Sequence, residues 1–193
     1  MLRLLELRQR RDSGGVSPLA VRADYTLALD LAELFQSLTL GDEQTLVPCS
    51  GVLRGIVADI DALFGVTAGD VAVRTRIERI SLPACKRRAL VLAASELVVN
   101  ALLHAFRGRT GGRILVGLNA LGPDRARLSV VDDGVGFPAG TRNVSIGIAA
   151  DLANLLGATV SYCRTNGCTT AEIIFLTADA IVDAPAGLAR LPR

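Results

Sequence analysis

Three side chains that could do chemistry, Glu96, Asn100 and His104, lie at four-residue spacing in the stretch "SELVVNALLHAF". Residues i and i+4 lie on one face of an α-helix, so the pattern predicts a polar edge on an otherwise apolar helix. A carboxylate and an amide carbonyl on that edge offer the hard oxygen ligands that Mg²⁺ prefers, and the carboxylate could also orient or deprotonate an attacking group. An ordinary polar stripe on a core helix is the alternative that these residues alone leave open.

His104 is the single histidine of the chain and continues the same face one turn further on. A histidine near a helix end packs or caps the helix more often than it reacts. We therefore expect His104 to be scaffold. With one histidine and four scattered cysteines, the sequence also argues against a zinc site.

A second candidate motif, "VVDDGVGFP", places Asp132 at the end of a predicted strand, followed by Gly134 and Gly136. Glycines let the backbone approach a ligand closely, and an aspartate there can accept a hydrogen bond from an exocyclic amine such as that of adenine. A tight Asp-Gly turn without a ligand is the alternative. The motif is neither a P-loop nor the GxGxxG of a dinucleotide-binding fold.

Two further stretches carry weaker signals. In "VSIGIAADLANLLG", Ser145 and Gly147 lie at the start of a predicted helix. The free N–H groups of a helix start form an anion site that suits phosphate. An ordinary N-cap with a tolerated glycine is the alternative. Thr169, on the last predicted strand, could donate to a ligand or simply favour the strand. Each signal is weak alone, but the blocks follow one another in a definite order.

Composition limits the classes of protein. Half of the 193 residues are hydrophobic, which is enough for a sizeable core, yet no apolar run approaches the roughly 20 residues that span a bilayer. A formal charge of +2 and 4% aromatic residues give no reason to expect nucleic-acid binding. We expect a cytoplasmic protein that binds neither membrane nor nucleic acid.

Hydrophobic periodicity predicts the elements that position these residues. Residues 1–20 are expected to form a flexible arm, and two amphipathic helices in 21–66 an αα-hairpin. Residues 67–178 follow with the order β-α-β-β-α-β-β. Because neighbouring strands are joined as hairpins, we expect a mainly antiparallel sheet with helices on one face. The fold class is therefore α+β, a two-layer α/β sandwich preceded by a helical hairpin, and residues 179–193 form a loose tail.

The ordered blocks resemble the ATP-binding domain of the GHKL superfamily, which includes sensor histidine kinases, Hsp90, DNA gyrase, MutL and anti-sigma serine kinases. The likeness runs from about Val71 to Leu176 and is greatest to soluble bacterial histidine kinases with a short ATP lid. It implies the Bergerat/GHKL ATPase fold with ATP and Mg²⁺ as cofactors. By this resemblance Glu96 serves catalysis and Asn100 binds Mg²⁺.

The resemblance also assigns the remaining positions. Asp132 would bind adenine with Thr169 nearby, and Gly134 and Gly136 would shape the pocket. Ser145 and Gly147, at the start of the predicted helix, would contact the phosphates.

Three departures separate this sequence from the kinase pattern. The predicted helix of residues 22–38 lacks the phosphoaccepting histidine, Leu103 replaces a common basic residue, and Cys168 stands where a glycine usually precedes the threonine. Self-phosphorylation on the usual residue is therefore excluded. The resemblance implies a histidine-kinase-like protein of two-component signalling that phosphorylates a partner in trans. A non-catalytic adaptor that docks a response regulator and an anti-sigma-type serine kinase are the alternatives, and a homodimer through the hairpin is expected.

Overall fold

The structure is a computed structural model that describes residues 46–65, 70–136 and 148–177. In chain order the elements are Val47–Pro48 (β1), Ser50–Gly65 (α1), Asp70–Ile77 (β2), Ser81–Leu82 (β3), Ala84–His104 (α2), Gly111–Ala120 (β4), Arg125–Asp132 (β5), Ile148–Leu155 (α3), Val160–Thr165 (β6) and Cys168–Leu176 (β7). The predicted arm 1–20, the first predicted helix of the hairpin and the predicted tail 179–193 lie outside the described residues.

Five strands form one sheet in the order β2-β4-β5-β7-β6. β2 and β4 are parallel and are connected through α2, whereas β4, β5, β7 and β6 pair antiparallel. The sheet is therefore mainly antiparallel with one parallel pair at its edge, and the predicted α+β class is confirmed.

Alternation along the strands builds two layers. In β4 the residues Ile114, Val116 and Leu118 are fully buried, while Arg113 before Ile114 and Leu115 after it are exposed. The buried positions share one hydrophobic core with α1, α2 and α3, so the described helices cover one face of the sheet. The opposite face is polar or only partly covered within the described residues.

Helix α2 is buried almost all round because it lies between the sheet and the other two helices. Pro83 is its N-cap, without a side-chain hydrogen bond, and the preceding residues Ser81 and Leu82 form the short strand β3, which pairs with β1. No helix among the described residues is long and apolar enough to cross a membrane.

Helix α1 packs onto the same core. Leu53, Ile56 and Ile60 are buried against α2 and β2. Val52 and Leu63 pack at the partly buried edge of this face. The apolar face of the second predicted hairpin helix is thus occupied by the domain that follows it.

The β6–β7 hairpin turns at Asn166 and Gly167, both with positive φ, 53° and 82°. Two consecutive residues in the left-handed region form the turn that Asn-Gly favours, because its twist matches that of the flanking strands. The turn fixes a register in which Arg164 lies opposite Thr169.

Candidate functional site

A row of polar side chains crosses the helix-facing side of the sheet at one end. The strand register places Asp132 of β5 opposite Thr169 of β7, and Thr169 opposite Arg164 of β6. The next rows on this face are apolar, beginning with Val130 and Ala171. The sheet therefore brings three polar residues to the edge of its core, where a ligand could reach them.

Asp132 is a buried carboxylate with few partners. Its side chain is 8% exposed, and burial raises its pKa above the usual range. The backbone N–H of Gly134 donates to its Oδ1 at 3.0 Å, and the Arg164 guanidinium also favours the ionised form, while Asp133 opposes it. The acceptor capacity of Asp132 is thus incompletely used within the described residues.

The hydroxyl of Thr169 faces Asp132 across the strand pair. It helps to lower the pKa of Asp132, yet it lies outside normal hydrogen-bond geometry. Its Oγ1 is buried in a residue only 3% exposed and has no hydrogen-bond partner in the described part of the chain. A buried hydroxyl without a partner is unfavourable, so this side chain fits a ligand that supplies one.

The backbone of the Gly134–Gly136 loop is fully satisfied in its central part. The N–H of Gly134 donates to Asp132, and the N–H of Val135 donates to the carbonyl of Ala105 at 2.8 Å. Arg164 donates from Nη1 to the carbonyl of Val135 at 2.5 Å and from Nη2 to that of Gly134 at 3.5 Å. The loop is therefore attached to the end of α2 on one side and to β6 on the other.

The two glycines of this loop are required for different reasons. A Cβ at Gly134 would overlap the carbonyl and Cβ of Ala105, so the close backbone approach expected there is made to the end of α2. Gly136 has φ +75°, and a Cβ there would overlap the Arg164 guanidinium. Both positions hold the loop against neighbouring protein atoms.

Glu96 and Asn100 lie on the one open stripe of α2. Nearly every other residue from Ala89 to Leu102 is buried, whereas these two are partly exposed. Neither makes a hydrogen bond or ion pair with another described residue. Asn100 is five residues before Ala105, about 7.5 Å of helix rise, so the stripe leads toward the loop that follows Asp132.

His104 ends the same stripe and is exposed. Its Nδ1 lies 3.1 Å from Nη2 of Arg107, one turn further along. This pairing at the helix end agrees with the scaffold role that the sequence favours.

Asp133, the neighbour of Asp132, serves the structure. The backbone N–H of Arg113 donates to its carboxylate at 2.7 Å and holds its pKa below the usual range, and the Arg113 side chain adds an ion pair at 3.3 Å. Arg109 donates to the Asp133 carbonyl. Arg113 fastens the loop after β5 to β4, and Arg109 fastens it to the segment before β4.

Sequence reasoning missed Arg164. The signal for it was present: Val160, Tyr162 and Arg164 alternate on the helix-facing side of β6. An arginine at an inward position next to the Asn-Gly turn indicates a buried or capping role. The predicted phosphate positions Ser145 and Gly147 lie outside the described residues and stay predictions.

No group of three or more His, Cys, Asp or Glu side chains in 46–65, 70–136 and 148–177 could hold a metal ion. Mg²⁺ needs few protein ligands, since water and phosphate oxygens complete its shell. The amide oxygen of Asn100 beside the Glu96 carboxylate is a donor set of that kind.

The five-stranded sheet with helices on one face is the fold of histidine kinase-like ATPase domains. Residues 66–146 match the family model described as "Histidine kinase-like ATPase domain". The GHKL resemblance of the sequence is thereby confirmed.

Among curated proteins, the chain is similar to Blue-light-activated histidine kinase 2 of Erythrobacter litoralis, with 27% identity over 124 residues. The match covers 62% of this chain and 35% of that relative, so the chain spans about a third of its length.

Solved structures show the same fold. The histidine kinase domain of a blue-light activated histidine kinase from Erythrobacter litoralis superimposes with a TM-score of 0.66 at 22% identity, over 79% of each chain. The ATP-binding domain of PrrB from Mycobacterium tuberculosis gives a TM-score of 0.52 at 19% identity, over 72% of this chain and 100% of the other.

Proposed function

We propose that this chain binds ATP with Mg²⁺ at the polar row and the open stripe of α2, and acts as a cytoplasmic signalling protein of the two-component type. The observation that carries the proposal is the pair formed by Asp132 and Thr169. A buried carboxylate with spare acceptor capacity faces a buried hydroxyl without a partner.

Adenine suits that pair chemically. Its exocyclic amine donates hydrogen bonds and its ring nitrogens accept them, so Asp132 would accept from the amine while the Thr169 hydroxyl donates to the ring or to a bridging water. Burial of both groups makes correct pairing important, because a base that leaves either unpaired loses binding energy. The row therefore favours adenine over a base with a carbonyl at the same edge.

The open stripe of α2 would face the phosphates and the metal ion. Asn100 would hold Mg²⁺ through its amide oxygen, and Glu96 would orient or deprotonate the attacking group. Bound ATP·Mg²⁺ supplies a transferable phosphoryl group whose charge the ion neutralises, and catalysis of such transfer depends mainly on positioning. Ser145 and Gly147 remain the proposed phosphate contacts at the start of α3.

The missing histidine in residues 22–38 directs the proposal toward transfer to another protein. A response regulator, or another signalling protein that supplies its own acceptor, would receive the phosphoryl group. The same site would serve a non-catalytic adaptor in which nucleotide only tunes docking to the regulator. An anti-sigma-type serine kinase also needs no histidine, but those proteins usually lack a leading helical hairpin.

Nucleotide binding is tested by calorimetric titration of the purified chain with ATP, with and without Mg²⁺. Asn100→Ala should abolish the gain in affinity that Mg²⁺ gives, while Asn154→Ala, an exposed asparagine of α3, serves as the matched control. Affinity with Mg²⁺ that is unchanged in Asn100→Ala would exclude Asn100 as the metal ligand.

Phosphoryl transfer is tested with γ-labelled ATP, the chain, and candidate response regulators or anti-sigma antagonists. Label on a regulator aspartate or histidine supports the kinase, and label on a serine of an antagonist supports the alternative kinase. Tight ATP binding with no label on any partner would leave the adaptor.

A further inference from the structure

Arg164 is an exposed residue whose guanidinium nevertheless makes several hydrogen bonds. It donates to three backbone carbonyls: Val135 at 2.5 Å, Gly134 at 3.5 Å and Gly167 at 3.5 Å. Two of these belong to the loop after Asp132, and the third belongs to the β6–β7 turn. One side chain thus ties the loop to the hairpin.

The hydrogen bonds of this loop form a connected chain. Gly134 donates its backbone N–H to Asp132 and accepts from Arg164 through its carbonyl. Val135 donates its backbone N–H to Ala105 at the end of α2 and accepts from Arg164 through its carbonyl. Arg164 is therefore the shared partner of both residues, and Gly134 links it to Asp132.

Shape reinforces these contacts. The guanidinium occupies the space that a side chain at position 136 would fill, so Gly136 and Arg164 fit together as a pair. A planar fork with several donors suits two neighbouring carbonyls, whereas an ammonium group satisfies them less well.

We propose that Arg164 is a positioning residue of the nucleotide site, which holds the Gly134–Gly136 loop, and through it Asp132, in the geometry that receives the base. This role presupposes the nucleotide binding proposed for the site. Arg164 acts through the loop, which it holds by hydrogen bonds to the carbonyls of Gly134 and Val135.

The first test measures amide hydrogen exchange of Gly134 and Val135 in the full chain without nucleotide. Arg164→Met should speed exchange at these amides about three- to tenfold, since the loop loses two hydrogen bonds. Arg164→Lys should fall between Arg164→Met and the wild type. Arg125→Met is the matched control, because this exposed arginine lies at the opposite end of β5, and its exchange should equal that of the wild type. Unchanged exchange in Arg164→Met overturns the proposal.

The second test measures ADP affinity in the same variants together with their thermal midpoints. Arg164→Met should bind ADP roughly tenfold more weakly and Arg164→Lys should recover part of that loss, while Arg125→Met binds normally. Equal affinity of Arg164→Met and wild type overturns this proposal alone. A wild-type chain that binds no nucleotide overturns the proposed function, and the exchange measurement still decides whether Arg164 orders the loop.

A third test uses the pairing of Gly136 with Arg164. Gly136→Ala should lower the thermal midpoint in the wild-type background by more than in an Arg164→Ala background, because the overlap with the guanidinium is then absent. The strain from positive φ at position 136 is common to both backgrounds and cancels. Equal losses in the two backgrounds would contradict the fit.

Discussion

The adjacent residues Asp132 and Asp133 have opposite electrostatic environments. Burial raises the pKa of Asp132, whereas the backbone N–H of Arg113 lowers the pKa of Asp133. A raised acid pKa means that the folded chain holds the ionised form at a disadvantage. Asp132 therefore weakens the fold at neutral pH, a cost that fits the ligand-binding role proposed for it.

We predict that Asp132→Asn leaves the thermal midpoint unchanged or raises it, while ATP affinity falls about tenfold or more. The asparagine Oδ1 still accepts from Gly134, but the amide group presents donors where the base needs an acceptor. Differential scanning calorimetry and ATP titration measure the two effects. A lower midpoint together with normal ATP affinity would contradict the assignment.

Asp133→Asn should do the reverse, with a modestly lower midpoint and nearly normal ATP affinity. The stabilisation from Asp133 is present above its ordinary pKa of 3.8 and is lost as pH falls through its lowered folded pKa. The contribution of Asp132 has the opposite sign: stability rises as pH falls through its raised folded pKa toward 3.8. Denaturation curves from pH 7 to pH 3 should therefore shift in opposite directions for the two variants relative to wild type.

Gly134 belongs to the candidate site and also packs closely against the end of α2. Gly134→Ala should reduce the free energy of unfolding by about 1–3 kcal/mol, because the methyl group overlaps Ala105. Ala105→Gly in the same chain should restore only part of this loss, since the Ala105 carbonyl still obstructs the methyl group. Urea denaturation measures the free energy of unfolding of each variant. A Gly134→Ala chain as stable as the wild type would contradict the described packing.

The sequence was informative about single residues where one chemical feature stood out. The family resemblance of the ordered blocks implied that Asp132 and Thr169 share one site, and the register of β5 with β7 places the two residues opposite each other. Arg164 was not predicted, because its role depends on the register between β6, β7 and the loop after β5, and long-range register is not written in local periodicity. The same limit hid the contact of Gly134 with Ala105.

At the scale of elements, α2 shows why its pattern was hard to interpret. A helix buried on nearly all sides loses the one-sided periodicity of a surface helix, and only its open stripe stays polar. Its length and apolar content were still enough to predict a helix, and the strands on either side of it in the sequence were also predicted. The two-residue strands β1 and β3 were missed, because they are too short for any alternation to be visible.

Helix α1 is expected to unfold together with the sheet against which it packs. Leu53 is fully buried, so Leu53→Ala should reduce the free energy of unfolding by about 2–5 kcal/mol within a single cooperative transition. Leu155→Ala, in which the side chain is 69% exposed, is the matched control and should change stability by less than about 0.5 kcal/mol. A separate low-temperature transition that involves only α1 would show that the helix folds independently of the sheet.

At the scale of the whole molecule, the described part is a sheet whose one face is covered by three helices. The apolar face of α1 is already used within that core, so it is not free to form a dimer. The dimer surface expected from the sequence must then come mainly from residues 22–40. There, Leu27, Leu31, Leu34 and Leu38 recur at helical spacing.

We therefore predict a homodimer that a charge on this leucine stripe disrupts. Leu34→Glu should convert the chain to a monomer, because a dimer would have to bury the new carboxylate without a partner. Gln36→Glu introduces the same charge on the opposite side of the predicted helix and should leave the dimer intact. Sedimentation velocity over a concentration series distinguishes these outcomes. A wild-type chain that is monomeric throughout the series would refute the dimer. Phosphoryl transfer to a partner protein would then proceed from a single copy of the chain with one ATP site.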